Sequence, residues 1–140
     1  MLSNPASTCM TASGNIHLND FAHSRRLKLF DCCLGSERTR DVLTLDSVLP
    51  QIGLPCFIKV DVDGEEEKVL HGAERLNQER GVRWLVETHS PYLENACQTV
   101  LRRAGFKTVI IPNAWWRALV PELRPSEHNR WLAAWNDDTA

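Results

Sequence analysis

Carboxylate and imidazole side chains occur where two apolar segments of the chain end. Asp61 and Asp63 close one segment, and Glu87 and His89 close the next one along the chain. Such groups, held together, can act as a general base, as a clamp for a substrate or as ligands of a metal ion. They form one site only if the two segments lie side by side, and this depends on the secondary structure that carries them.

The residues around Asp61 predict a strand that leads into a helix. The run 57–62 is rich in β-branched residues and ends at a Gly turn, which is typical of a strand. From Gly64 to about Gln78, apolar residues recur at helical spacing, which predicts a helix with one apolar face. A strand that feeds a helix is half of a βαβ unit, and such units place their chemistry at the carboxyl ends of parallel strands.

The rest of the chain supplies the other elements of a sheet protein. The sequence predicts a strand at 27–34 and a short helix at 47–52. The patterns downstream are clearer and predict strands at 82–87, 106–111 and 131–135 and a helix that begins at Ser90-Pro91 and ends at Gly105. The predicted fold class is α/β, a mainly parallel sheet flanked by helices. The last strand follows a loop, with Trp115 and Trp116, instead of a helix, and can therefore run antiparallel.

Structural explanations compete with the functional ones. Negative charge is favoured by the helix dipole in the first turn, which is where the predicted helix carries Asp63, Glu65, Glu66 and Glu67. Here Asp63 is expected to be the N-cap, with Glu66 reaching back to it. Asp61 differs, because it lies in an apolar strand and needs a partner if buried; Lys59 points to the same face. A histidine such as His89 is more commonly a loop residue than a metal ligand.

Composition limits the class of protein. The chain has 140 residues, enough for one domain, with 43% hydrophobic and 24% charged residues and a formal charge of −2. No Lys/Arg run predicts a nucleic-acid partner, and no apolar run is long enough to span a membrane. The N-terminus does not resemble a signal peptide. Five cysteines without a CxxC motif predict reduced thiols and a cytoplasmic location.

Three segments, in this order, resemble a known family. The motif KVDVDGEE at 59–66, followed by VLHGA at 69–73, is similar to the FkbM-type methyltransferase signature KIDVEGAE followed by VLxGA. Upstream, residues 43–49 resemble the TLD segment of that family, and downstream residues 84–89 resemble its next strand. The resemblance spans about residues 43–135. Asp63 stands where the family usually has Glu.

The resemblance implies an S-adenosylmethionine-dependent methyltransferase with a Rossmann-like fold. The implied reaction is O-methyl transfer to a small molecule or a sugar. For the residues on its motif positions, Asp61, Glu66, Glu87 and His89, the resemblance implies a place near the active cleft. We predict catalytic roles for Asp61, Glu87 and His89, cofactor contacts for Asp61, Asp63 and Glu66, and no metal ion. An acidic helix start disfavours phosphate but not a sulfonium cofactor.

The part of such a fold that binds most of the cofactor has no counterpart in this sequence. The seven glycines are scattered, and no GxGxxG motif occurs. We therefore expect a flexible arm at 1–15 and a truncated domain, equivalent to the C-terminal half, at 16–140. Such a domain leaves a sheet edge open for a second copy or for the missing N-terminal half. The alternatives are a non-catalytic remnant or interaction module and, as a third hypothesis, a metal-dependent hydrolase that uses Asp61, Glu87 and His89.

Overall fold

The structure is a computed structural model that describes residues 28, 30, 32–112, 128 and 130–137. The predicted arm at 1–15 and the loop with Trp115 and Trp116 lie outside the described residues. In chain order, the strands are β1 (Cys33–Leu34), β2 (Val42–Leu43), β3 (Cys56–Val60), β4 (Val82–Thr88), β5 (Lys107–Ile111) and β6 (Arg130–Trp135). The α-helices are α1 (Leu45–Val48), α2 (Glu66–His71) and α3 (Pro91–Arg103), and short 3-10 helices cover Leu49–Gln51 and Leu76–Gln78.

The main sheet has four strands in the order β3-β4-β6-β5. Strands β3 and β4 are parallel, whereas β6 is antiparallel to both of its neighbours, so β3, β4 and β5 share one direction. The prediction of a mainly parallel sheet is therefore wrong in this respect: the sheet is mixed. The antiparallel last strand is confirmed. It lies inside the sheet, between β4 and β5, and Ile111 at the end of β5 pairs with Trp131 near the start of β6.

The weaker predictions near the N-terminus are only partly met. Strands β1 and β2 form a separate parallel pair of two residues each, so the strand expected at 27–34 is reduced to its last two residues among those described. The helix expected at 47–52 begins earlier, at Leu45, and continues as a 3-10 turn. Its start is set by Thr44, whose hydroxyl accepts a hydrogen bond from the backbone of Ser47 at 3.1 Å.

Both longer helices pack on one face of the sheet and contact each other. Along β4, the residues that face them, among them Trp84 and Val86, are buried, and the alternate residues are not. A buried Glu94 on α3 bonds the guanidinium of Arg130 and so ties the helix to β6. The opposite face of the sheet, called the open face below, is apolar but exposed. It carries large side chains such as Phe57, Val109 and Ile111.

Helix α2 ends well before the predicted boundary. It stops at His71, followed by turns and a 3-10 helix instead of continuing to Gln78. The carboxylate of Asp46 accepts hydrogen bonds from the backbone N–H groups of Arg75 and Leu76, both at 2.9 Å. In a longer helix, these two N–H groups would donate to backbone carbonyl groups of the preceding turn. Here the carboxylate of Asp46, which is distant in sequence, takes the place of those carbonyl acceptors.

Asp46 is therefore expected to be a structural residue of the TLD segment. Replacing Asp46 by alanine removes both acceptors, and we expect the free energy of unfolding to fall by about 1–3 kcal/mol. Asparagine keeps one carbonyl oxygen and is expected to lose less. Urea denaturation measures both values, with Asp41→Asn at an exposed position as the control. Equal stability of Asp46→Ala and the control would contradict this role.

Candidate functional site

The candidate site lies at the carboxyl edge shared by β3 and β4. The two strands are paired in parallel with Val60 opposite Val86, so the residues that follow, Asp61 and Glu87, are neighbours on the open face of the sheet. His89 comes just after the end of β4. The predicted meeting of these side chains is observed. One ligand atom from each of Asp61, Glu87 and His89 lies within 4.8 Å of the others.

Lys59 is the partner of Asp61. Its ammonium group lies 2.8 Å from the Asp61 carboxylate and 5.2 Å from the centre of the Trp131 ring. The hydrogen bond from Lys59 is the main reason why the pKa of Asp61 is lowered. Partial burial acts in the opposite direction, and Glu87 and His89 lower the pKa further. Asp61 lies one residue beyond the strand, so its predicted place within the strand is wrong, and it is exposed.

A buried carboxylate supports His89. Glu66, which is fully buried, contacts Nδ1 of His89 through Oε1, and the same oxygen accepts a hydrogen bond from the backbone of Gly64 at 3.3 Å. A carboxylate at Nδ1 favours a proton there, so Nε2 keeps its lone pair for a proton or a cation. The other oxygen of Glu66, Oε2, is buried without a hydrogen-bond partner.

The expected cap of α2 is wrong. The residue before the helix is Glu65, not Asp63, and its side chain makes no capping bond. Asp63 is instead 95% exposed, with one carboxylate oxygen 3.6 Å from Nε2 of His89. Glu66 does reach back, to Gly64, but its main contact is His89. The contact with His89, just after β4, thus determines the direction of the Glu66 side chain, which the local sequence pattern assigned to capping.

Two parts of the site had no counterpart in the sequence analysis. The pairing of Glu66 with His89 joins two motif segments, and the contact of Lys59 with Trp131 joins β3 to the last strand. The only sequence signal for the first pair was their membership in motifs of one family. No sequence signal indicated Trp131, because it lies opposite Glu87 only when β6 is placed between β4 and β5.

The residues present fit one part of the expected cofactor. Exposed carboxylates at Asp61 and Asp63 favour a positively charged group such as a sulfonium. Glu66 is buried behind His89, so its predicted contact with the cofactor would act through that histidine. Three cavities lined by described residues all include His71, and none of the three includes Asp61, Glu87 or His89.

Comparisons of the chain with models of protein families, with curated proteins and with solved structures found no match. The resemblance to FkbM-type enzymes therefore depends on the motif residues of the sequence alone. Among the described residues, no helix has the length and apolar character needed to cross a membrane.

Proposed function

We propose that the chain carries the acceptor-side half of an S-adenosylmethionine-dependent O-methyltransferase of the FkbM type. The observation that carries this proposal is the meeting of Asp61, Glu87 and His89 within 4.8 Å. These residues come from two separate motif segments, and they converge where an α/β sheet places its chemistry, beyond the carboxyl ends of parallel strands.

The topology is consistent with half of a Rossmann-like fold. Strands β3, β4 and β5 share one direction, and a helix follows each of the first two. Both helices lie on one face of the sheet, as successive crossovers of the same hand require. In this interpretation β6 is an antiparallel addition to a parallel framework.

The chemistry that we propose needs an activated hydroxyl group. S-adenosylmethionine, when bound, supplies a methyl group whose bond to sulfur breaks as a bond to the acceptor oxygen forms. Nε2 of His89, supported by Glu66 at Nδ1, accepts the hydroxyl proton. Asp61 and Glu87 orient the acceptor by accepting hydrogen bonds from its other hydroxyl groups, which suits a sugar or another small polyol.

The adenosine part of the cofactor needs further protein. We propose that it is held by a second copy of the chain that adds to the edge of β3, which is unpaired among the described residues and whose adjacent face exposes Phe57. The same exposed apolar face, with Val109 and Ile111, favours the second candidate function, a non-catalytic interaction module. Binding of the cofactor distinguishes the two.

Calorimetric titration with S-adenosylhomocysteine tests the proposal. We expect binding in the micromolar range that Asp61→Ala abolishes, because this removes an exposed carboxylate that favours the positively charged ammonium group of the ligand. Asp41→Ala removes an exposed carboxylate elsewhere and is expected to leave the affinity unchanged. No heat at millimolar ligand would overturn the proposal for this chain and leave the interaction module as its function.

A further inference from the structure

We propose that Asp61, Glu87 and His89 bind a divalent transition-metal cation, each through one carboxylate oxygen or through Nε2 of the imidazole. This site goes beyond the methyltransferase proposal, which assigns the three residues no metal. The binding of the cation does not depend on that proposal, and only its use in methyl transfer does.

The distances are close to those of a ligated metal. In a tetrahedral site, ligand atoms about 2.0–2.3 Å from one cation are about 3.3–3.8 Å apart. The three candidate atoms already lie within 4.8 Å of one another. Closure therefore requires side-chain movements on the order of 1 Å, which the exposed carboxylate of Asp61 can make without moving the backbone.

The surroundings of His89 supply an independent observation. Metal-binding histidines commonly donate their second ring N–H to a carboxylate, which fixes the ring and raises its basicity. Glu66 makes this contact at Nδ1 and is fully buried, with Oε2 lacking a hydrogen-bond partner. A cation on Nε2 would offset this buried negative charge across the ring. Asp63, 3.6 Å from the same Nε2, can supply a further oxygen ligand.

Lys59 opposes the cation. Its ammonium group donates a hydrogen bond at 2.8 Å to Oδ2 of Asp61, and a metal ion bound to that oxygen would compete with it. The lysine side chain is 51% exposed and its pair with Asp61 is correspondingly screened, so a divalent ion can displace it. Removal of the lysine charge should therefore strengthen metal binding, an effect that a purely structural ion pair would not produce.

The donor set indicates the class of metal. Two carboxylates and one imidazole suit ions such as Mn²⁺, Fe²⁺ and Zn²⁺, whereas Mg²⁺ and Ca²⁺ prefer oxygen alone. Mn²⁺ is the better probe here, because thiolates bind it weakly and the described part of the chain contains free cysteines, such as the exposed Cys33. If the proposed function holds, the cation would take over from Nε2 of His89 as the group that activates the acceptor, because a hydroxyl bound to it would lose its proton more readily to solvent. The three side chains would then act through the metal.

Electron paramagnetic resonance of Mn²⁺ titrated into the full chain, previously treated with a chelator, tests the site. We expect one submillimolar site. Glu87→Gln and His89→Gln should each abolish it, and Glu66→Gln should weaken it by about 10–100-fold. Lys59→Met should tighten it. The control is His71→Gln, because His71 forms a comparable exposed pair with Glu67 at 3.8 Å and should leave binding unchanged.

The outcomes separate the metal site from the methyltransferase. Absence of binding at millimolar Mn²⁺, or binding that survives both Glu87→Gln and His89→Gln, overturns the metal site. Thermal unfolding checks that each variant is folded, and the effect of Lys59→Met decides the question if a buried substitution is not tolerated. Mn²⁺ binding without S-adenosylhomocysteine binding contradicts only the methyltransferase, whereas the reverse result contradicts only the metal site.

Discussion

Replacing Trp84 by alanine is expected to lower the free energy of unfolding by about 3–5 kcal/mol, the usual cost of removing a large buried aromatic side chain. Trp84 is 1% exposed on the helix-covered face of β4. Its indole N–H donates a hydrogen bond at 3.1 Å to the side chain of the buried Asn77, which in turn donates to the backbone carbonyl of Leu70 at 3.4 Å. The substitution therefore leaves both a cavity and an unsatisfied buried oxygen.

Thermal and urea unfolding measure this effect, and Phe57→Ala is its control. Phe57 lies on the opposite face of the sheet with 64% of its surface exposed, so its truncation should change stability by no more than about 0.5 kcal/mol. Trp84→Phe, which keeps most of the apolar contact but removes the donor, should cost about 1–3 kcal/mol. Similar losses for Trp84→Ala and Phe57→Ala would mean that the open face is buried in solution, for example by a second copy.

Replacing Gly72 by alanine is the second substitution with a large expected effect. A Cβ atom at this position would lie 2.0 Å from the carbonyl oxygen of Gly35 and 3.3 Å from Cβ of Thr44. The first distance is far inside van der Waals contact, and its partner is backbone, so the end of α2 must move away from the β1 segment. Overpacking of this kind costs about 1–3 kcal/mol, and more where the backbone resists.

Gly53→Ala provides the matched control for Gly72→Ala. An added Cβ at Gly53 has no neighbour within 4 Å, and its backbone is not left-handed. This substitution should therefore be neutral or stabilise the protein by up to about 1 kcal/mol, because alanine lowers the conformational entropy of the unfolded chain. Urea denaturation of the two variants side by side gives the difference. Equal stability would show that the approach of Gly35 to Gly72 does not restrain the native state.

Much of the second half of the fold follows from local sequence signals. Ser90 accepts a hydrogen bond from the backbone N–H of Leu93 and caps α3, Pro91 occupies the first turn, and Gly105 ends the helix region with a positive φ of 90°. The bounds of β4 differ from the prediction by one residue. These features depend on neighbours in the sequence, so periodicity and capping residues are sufficient to predict them.

The first half of the fold depends on distant contacts. Helix α2 has the apolar pattern of a longer helix, yet it ends where Gly72 meets Gly35 and where Asp46 takes two backbone donors from the next turn. None of these partners is near in sequence, and no local propensity encodes them. The mixed sheet has a similar origin, since pairing of β6 with β4 and β5 is decided by how strands meet in space.

In the candidate site, residue types alone are sufficient to identify the groups that could do chemistry. Asp61, Glu87 and His89 were predicted to converge because parallel strands bring their carboxyl ends to one edge. Only the tertiary structure decided how the groups are arranged there: Glu66 turns inward to His89, and Lys59 lies between Asp61 and Trp131. The physical reason is that residue type and strand direction are local properties, whereas burial and ion pairing depend on the elements that pack around each side chain.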